Sequence, residues 1–420
     1  MPHIKRFLHK NILLSLKEWP AVYLNGPRQV GKSTLAQEIA QEIQGDYLSL
    51  DDVRLLSSAQ HDPISFISRF DRPVVLDEAQ LAPELFRAIK QHIDQRRSQH
   101  KATSFGRFLL TGSTNIMALP QLADALVGRM QTLTLLPLSV EEALKKPLKQ
   151  FIDQLFSRQT FTFRTFTSKK AMDSFIQAAT FPELVVEKHI NRSAWFNSYI
   201  NTLIQRDIQQ LAQVEKANIL PLMLKLLATH VGGLLNDADL ARDCGLNMMT
   251  YRRYRTLFEH IFLINLIPPW FNNIGKRLVK SPKIYFNDTE LLLHLLPYQK
   301  LSLLQNEQPR LYGAVVENFV ASELAKKITL TTGIQLFHFR THDNHEIDFI
   351  LENSQGEIVA IEVKARETVM ASDFKTIALL QEKAGKSFIK GVVLYLGDKI
   401  LSFGKDCYAL PLASLWEEGV

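Results

Sequence analysis

Three groups of residues have the types and spacing to do chemistry. The first is Gly26-Pro27-Arg28-Gln29-Val30-Gly31-Lys32-Ser33, with Thr34 behind it, a full match to G-x-x-x-x-G-K-[ST]. An apolar run, AVYLN, leads into it and a helical pattern, TLAQEIAQEI, follows it. The two glycines let successive main-chain N–H groups curl inward around phosphate oxygens, and the start of the helix adds partial positive charge. Such a loop binds a nucleotide, with Lys32 reaching the β- and γ-phosphates and the Ser33 hydroxyl ligating Mg²⁺. The second group is Asp77-Glu78 at the end of the apolar run Val74-Val75-Leu76. Standing alone, such a pair is usually a strand cap. Beside a phosphate loop, Asp77 is expected in the Mg²⁺ shell and Glu78 as the group that polarises the attacking water. No N-K-x-D element for reading guanine occurs, so ATP is the expected nucleotide.

The third group lies near the C-terminus. Glu346-Ile347-Asp348-Phe349-Ile350-Leu351 and Ile358-Val359-Ala360-Ile361-Glu362-Val363-Lys364 flank the turn NSQG and read as a hairpin. Alternation sends Ile347, Phe349 and Leu351 to one face with Val359, Ile361 and Val363. The other face carries Glu346, Asp348, Glu362 and Lys364. Positions 348 and 362 are symmetric about the turn, so Asp348 and Glu362 should face each other across the hairpin. Two facing carboxylates repel unless a cation sits between them, and Mg²⁺, with its preference for oxygen, is the natural one. Lys364 shares that face and can steady a water nucleophile or a phosphate. A Glu-x-Lys strand is also a common solvated, cross-paired sheet face.

The elements that must hold these residues form three stretches. Residues 1–145 alternate short apolar runs with helical patterns, the sign of a parallel sheet flanked by helices. Five strands are expected, in AVYLNG, DYLSLDD, PVVLDEA, RFLLTGS and MQTLTLLPL. Residues 146–300 carry apolar residues at helical spacing with little strand signal. Residues 301–420 return to mixed α/β, in the order helix, three strands, helix, strand. The middle stretch is basic: from Glu187 to Tyr285 it has 13 Lys or Arg against seven acids. NDADLARDCGL and NMMTYRRYRTLFEHIFL read as two helices joined by a turn, and the segment after them suits a two-stranded wing. In this winged-helix reading Arg252, Arg253 and Arg255 meet nucleic acid from a recognition helix, with Lys276, Arg277 and Lys280 on the wing. The alternative is a solvated charged face packed on its neighbours.

Composition agrees with a folded chain of several domains. The 420 residues are 46% hydrophobic and 22% charged, with 49 Lys+Arg against 43 Asp+Glu. Two cysteines, Cys244 and Cys407, exclude a disulfide framework. The longest apolar stretch, IFLINLIPPWF, is well short of the roughly 20 residues of a membrane span, so no membrane partner and a cytoplasmic location are expected.

The combination GPRQVGKST, LDEAQ, FLLTGSTN and LVGRMQTLTLLPLSVEEA resembles a family of prokaryotic AAA-type ATPases whose C-terminal half has no assigned function. YINTLIQRDI, PKIYFNDTELL, YGAVVENFV and EIDFILE extend the resemblance over nearly the whole chain. One departure is Ala179-Thr180, where relatives often carry paired glycines. The resemblance implies that the strand ending at Ser113 lies between the phosphate-loop strand and the Asp77 strand. It also implies a γ-phosphate sensor there, for which Ser113, Thr114 or Asn115 would serve, although Thr111 and Ser113 are equally plausible strand-end caps. Arg129 is implied as an arginine finger or sensor, within one subunit or between subunits of a homo-oligomer, its bland reading being an ion pair. In the C-terminal stretch, D-x13-E-x-K and the strand order resemble the PD-(D/E)xK nuclease fold. There Glu317 would complete a metal site with Asp348 and Glu362. Two functions are thus expected to compete: an ATP-driven machine that binds and cleaves DNA, and a nucleotide-dependent switch that binds protein or DNA without cleavage.

Overall fold

A computed structural model of the chain describes residues 4–99, 105–115, 126–162, 164–166, 169–211, 214, 216–271, 281–298, 300–341, 343 and 345–419. Helix α1 (Leu8–Glu18) leads into β1 (Ala21–Asn25), and the phosphate loop joins β1 to α2 (Lys32–Glu42). Strands β2 (Asp46–Ser49), β3 (Val74–Asp77), β4 (Phe108–Gly112) and β5 (Met130–Thr134) complete a five-stranded sheet in the order β2-β3-β4-β1-β5. Every pairing is parallel. All five expected strands form, and β4, which runs up to Ser113, lies between β1 and β3 as the resemblance implied.

Every residue of β1, β3 and β4 is buried, because a parallel sheet is covered on both faces. Val22, Leu24, Val75 and Leu109 pack on the side of α1 and α2. Tyr23, Leu76 and Leu110 pack with Phe66, Phe86 and Ile89 on the other side. The parallel register brings the carboxyl ends of β1, β3 and β4 to one edge, where the loops leaving a sheet of this kind gather their ligands.

Helix α3 (Arg192–Thr202) continues into a wider, π-helical turn over Leu203–Ile208. Helices α4 (Leu220–Thr229), α5 (Asp237–Asp243) and α6 (Met248–His260) follow, and then the antiparallel pair β6 (Ile264–Ile267) and β7 (Lys283–Phe286). Leu234 bridges to Lys283 and adds a short third rung to that pair.

The long helix α7 (Pro309–Ile328) opens the last stretch. After it come β8 (Gln335–Arg340), β9 (Glu346–Glu352), β10 (Ile358–Lys364), α8 (Lys375–Ala384), β11 (Phe388–Tyr395), β12 (Leu401–Ser402) and β13 (Cys407–Pro411). They form a mixed sheet in the order β12-β13-β11-β10-β9-β8, so the expected helix and strand order is present with two more strands at one edge.

Helix α7 is buried on nearly every side, including polar residues that an amphipathic surface helix would expose. The Asn318 side chain accepts from Phe286 N at 2.7 Å and donates to Phe286 O at 3.2 Å, acting as a strand partner for β7. Ser322 donates to Asn287 O at 3.0 Å, and Glu323 accepts from Val140 N at 3.2 Å. Lys327 forms a buried ion pair with Glu141. One helix is therefore bonded both to the nucleotide-side sheet unit and to the β7 strand of the middle stretch. No helix among the described residues is long and apolar enough to cross a membrane.

One strand face departs from expectation. Between β8 and β9 the register slips, from Phe337 opposite Ile350 to Phe339 opposite Ile347, three residues of β9 being spanned against two of β8. Ile347 consequently packs with Trp270, Ile350 and Ala360, while Phe349, Leu351, Val359 and Ile361 belong to the other apolar layer. An irregularity of this kind re-aims side chains locally, which strict alternation cannot anticipate.

Candidate functional site

The phosphate loop has the backbone its sequence demands. Gly26 has φ +143°, and a Cβ there would stand 2.1 Å from Leu135 O, so only glycine lets the loop pass β5. Gly31 caps α2 in the left-handed region, φ +90°, where a Cβ would meet only Pro182 Cγ, at 4.0 Å. Gln29 is also left-handed, φ 62°, which places local strain in the loop itself. Lys32 is 6% exposed, and its ammonium donates to Gly26 O at 2.9 Å and Pro27 O at 2.7 Å. Burial pushes its pKa down to about 8.

Above the loop lies a cavity of about 860 Å³. Residues from Arg28 to Leu35, together with Glu78, line one wall. Pro182, Val186, Trp195, Tyr199 and Arg206 line the other, so the middle helices face the loop directly. The Trp195 and Tyr199 rings stack at 5.1 Å and 11°. Pro27 and Gly26 sit at the carboxyl end of β1, whereas Val30, Gly31, Ser33 and Thr34 border the cavity itself.

At the end of β3, Asp77 accepts from the Tyr47 hydroxyl at 2.9 Å and from the Thr111 hydroxyl. The same Thr111 oxygen accepts from Glu78 N at 3.1 Å, so one hydroxyl of β4 holds both acidic residues. Glu78 is left-handed, φ 56°, a conformation that turns its carboxylate out of the strand line toward the cavity. Gln80 donates to the Glu78 carboxylate and lies 3.4 Å from the Ser113 hydroxyl. Ser113 thus reaches Glu78 through Gln80, a residue the sequence reading passed over. Arg129 is not among the residues bordering the cavity; its guanidinium pairs with Asp94 at 2.7 and 3.0 Å.

Two further charges were missed. Arg28 pairs with both oxygens of Asp207 at 2.8 and 2.6 Å, and that aspartate, in the π-helical turn, is 2% exposed. Arg206 borders the cavity and pairs with Asp51 at 3.5 Å. The only signal in the sequence was an Arg-Asp step inside the otherwise apolar YINTLIQRDI.

Of the C-terminal carboxylates, Glu317, Glu346 and Asp348 come together around one lysine, and the β9–β10 register ends at Phe349 opposite Ile361, one step short of Asp348 and Glu362. A lysine ammonium lies among the carboxylates named for Mg²⁺. The ammonium of Lys283, from β7, lies 3.0 Å from Glu317, 2.5 Å from Glu346 and 3.1 Å from Asp348. Among the described residues no group of three His, Cys, Asp or Glu is arranged to hold a metal ion. Burial pushes the Lys283 pKa down, but Asp348, Glu317 and Glu346 outweigh it and the net shift is upward, which keeps the ammonium charged. The Tyr285 hydroxyl donates to Glu317 at 2.5 Å, and Val363 N donates to the second Asp348 oxygen at 2.9 Å. Glu362 pairs with Lys364, at 2.7 Å. Burial first, and then the charge of Asp348, push the carboxyls of Glu317 and Glu362 up.

The basic middle is partly self-neutralised. Arg252 pairs with Asp237 at 2.7 Å, and Arg255 reaches Asp237 at 3.3 Å and Glu259 at 2.6 Å. Arg253 is exposed. Lys276, Arg277 and Lys280 lie outside the described residues.

Comparison with known proteins follows the same three stretches. Residues 18–144 match the family model of an AAA domain. Residues 169–302 and 312–415 match two models described as domains of unknown function, DUF8612 and DUF4143. An uncharacterized protein of Mycobacterium tuberculosis is 28% identical over 409 residues, 96% of this chain and 83% of its own. One of Methanocaldococcus jannaschii is 22% identical over 393 residues, 88% of this chain and 80% of its own. Among solved structures, a Walker-type ATPase of Pyrococcus abyssi aligns over 70% of this chain and 96% of that one, at 12% identity and a TM-score of 0.40. The RuvB Holliday junction branch migration motor of Thermotoga maritima aligns over 63% and 90%, at 16% identity and a TM-score of 0.30.

Proposed function

We propose that this chain, whose N-terminal unit is of the P-loop AAA type, binds ATP with Mg²⁺ in the cavity above the phosphate loop and hydrolyses it. The observation that carries the reading is Lys32: a buried ammonium turned back on its own loop carbonyls, next to a large open cavity and with no carboxylate among the described residues bonded to it. The residues present fit a triphosphate. Gly31 leaves its approach open, α2 points its N-terminus at the cavity, and Lys32 exchanges two carbonyls for phosphate oxygens. Ser33 and Asp77 are the groups that would hold Mg²⁺, which when bound neutralises phosphate charge and polarises the bond that breaks. Glu78 takes the proton of the attacking water, with Gln80 fixing the carboxylate and Ser113 fixing Gln80.

In this reading the middle helices form the lid. Trp195, Pro182 and Val186 offer an apolar wall to the base, and Arg28–Asp207 ties the loop to the lid. Arg129 acts as a finger only by leaving Asp94, in the same or a neighbouring subunit. The units are assigned to 1–145, 146–300 and 301–420. Helix α4, the Leu234 rung, α5, α6 and the β6–β7 pair follow the order of a winged helix, and the net positive charge of that stretch suits DNA. The mixed C-terminal sheet with α7 is read as nuclease-like in fold. Of the two downstream readings, the non-cleaving switch is favoured, because Lys283 sits among the carboxylates that cleavage would use. A cytoplasmic location is part of the same proposal.

The test is calorimetry of ATP binding together with phosphate release. Lys32→Ala is expected to lose binding. Glu78→Gln is expected to keep binding and lose turnover by about 10²–10⁴-fold. Unchanged turnover in either variant overturns the assignment.

A further inference from the structure

We propose that Lys283 is a built-in replacement for a divalent cation: it closes the C-terminal carboxylate cluster to metal and clasps the β6–β7 pair of the middle unit to the C-terminal sheet. The inference is independent of the nucleotide reading.

The fold resemblance implies a hard divalent ion among Glu317, Asp348 and Glu362, and the residues present do not fit one. An ammonium has three N–H donors, and Lys283 finds three carboxylates, from α7 and β9, at 2.5 to 3.1 Å. Mg²⁺ would need oxygens at about 2.0–2.1 Å around the same point, and two cations cannot share it. Two second oxygens are also taken, Asp348 Oδ2 by Val363 N at 2.9 Å and Glu346 Oε2 by Arg340 at 3.4 Å, while Tyr285 donates to the same Glu317 oxygen that meets Lys283. Glu362 pairs with a second lysine, Lys364.

Lys283 is delivered rigidly. Its strand is bonded to Asn318 of α7, and the chain beyond β6 extends along the edge of β8, with Trp270 N donating to His338 O at 2.6 Å and His338 N to Pro268 O at 2.9 Å. That docking covers an edge strand which would otherwise stay open. Withdrawing the β6–β7 pair is the motion that would leave Glu317, Glu346 and Asp348 facing one another with no cation among them.

The test uses the full chain without nucleotide, titrated with Mn²⁺ and read by the EPR signal of the free ion. Wild type and Asp348→Asn are expected to take up Mn²⁺ alike. Lys283→Ala is expected to gain one site at least tenfold tighter than any in wild type, and Asp348→Asn in the same chain is expected to remove it. Mn²⁺ uptake by wild type that Asp348→Asn abolishes overturns the proposal, as does a folded Lys283→Ala with no gained site. Should circular dichroism find Lys283→Ala unfolded, the comparison of wild type with Asp348→Asn decides alone: equal uptake supports the clasp and unequal uptake refutes it.

Discussion

Two buried lysines divide the molecule. Lys32 and Lys283 are both nearly inaccessible, yet the first is bonded to two neutral carbonyls and the second to three carboxylates. Burial lowers the pKa of Lys32, while the surrounding carboxylates raise that of Lys283. The phosphate-loop ammonium is therefore a charge held out of water with an incomplete partner set, next to a cavity of about 860 Å³. The Lys283 ammonium has its charge answered on the spot. Sites that recruit an anion and sites that close themselves thus differ less in the residue they bury than in what surrounds it.

The sharpest way to break this contrast is a matched pair of substitutions. Lys283→Met leaves carboxylates buried without a cation and should cost about 3–5 kcal/mol of unfolding free energy, measured in urea. Lys32→Met removes a desolvated charge with only neutral partners and should cost no stability near pH 7. Equal losses from both would erase the distinction. A smaller effect is expected from Tyr285→Phe, which takes a hydroxyl donor from Glu317 and should cost about 1.5–3 kcal/mol, with a loss below a few tenths speaking against a charged Glu317.

A further effect is a dependence on pH. The folded pKa of Lys32, about 8, lies below its ordinary 10.5, so between those values the folded protein has released a proton that the unfolded chain retains. Stability contributed by this group therefore rises as pH climbs through that window, while ATP affinity falls as the amine becomes neutral. Urea unfolding of wild type against Lys32→Met, at about pH 7 and about pH 10, should show the difference shifting in favour of wild type at the higher pH. A shift in the opposite direction contradicts a depressed Lys32.

Much of the nucleotide-side unit was legible because its signals are local. Strands such as Ala21–Asn25 and Val74–Asp77 are continuous apolar runs, and the loop between strand and helix is written in consecutive residues. The hairpin that carries Asp348 and Glu362 was legible for the same reason, a short connection between two strand-like runs. The partners that decide chemistry were not. Asp207 lies 179 positions from Arg28, and Asp348 lies 65 from Lys283. No periodicity carries such pairings, and Lys283 looked like one more basic residue of the middle stretch. The Ile347 face was misread because a register slip between two strands leaves no mark in either strand's composition.

The bonding of helix α7 limits how such a chain can be rearranged by recombination. A chimera that exchanged the C-terminal unit alone would strand Glu141 without Lys327 and Val140 N without Glu323, and it would deprive Phe286 of Asn318. Inserting a single residue midway along the helix would rotate its later half by about 100° relative to the first and break apart attachments on opposite sides together. Descendants of this architecture should accordingly exchange loops freely and inherit their three units as a set.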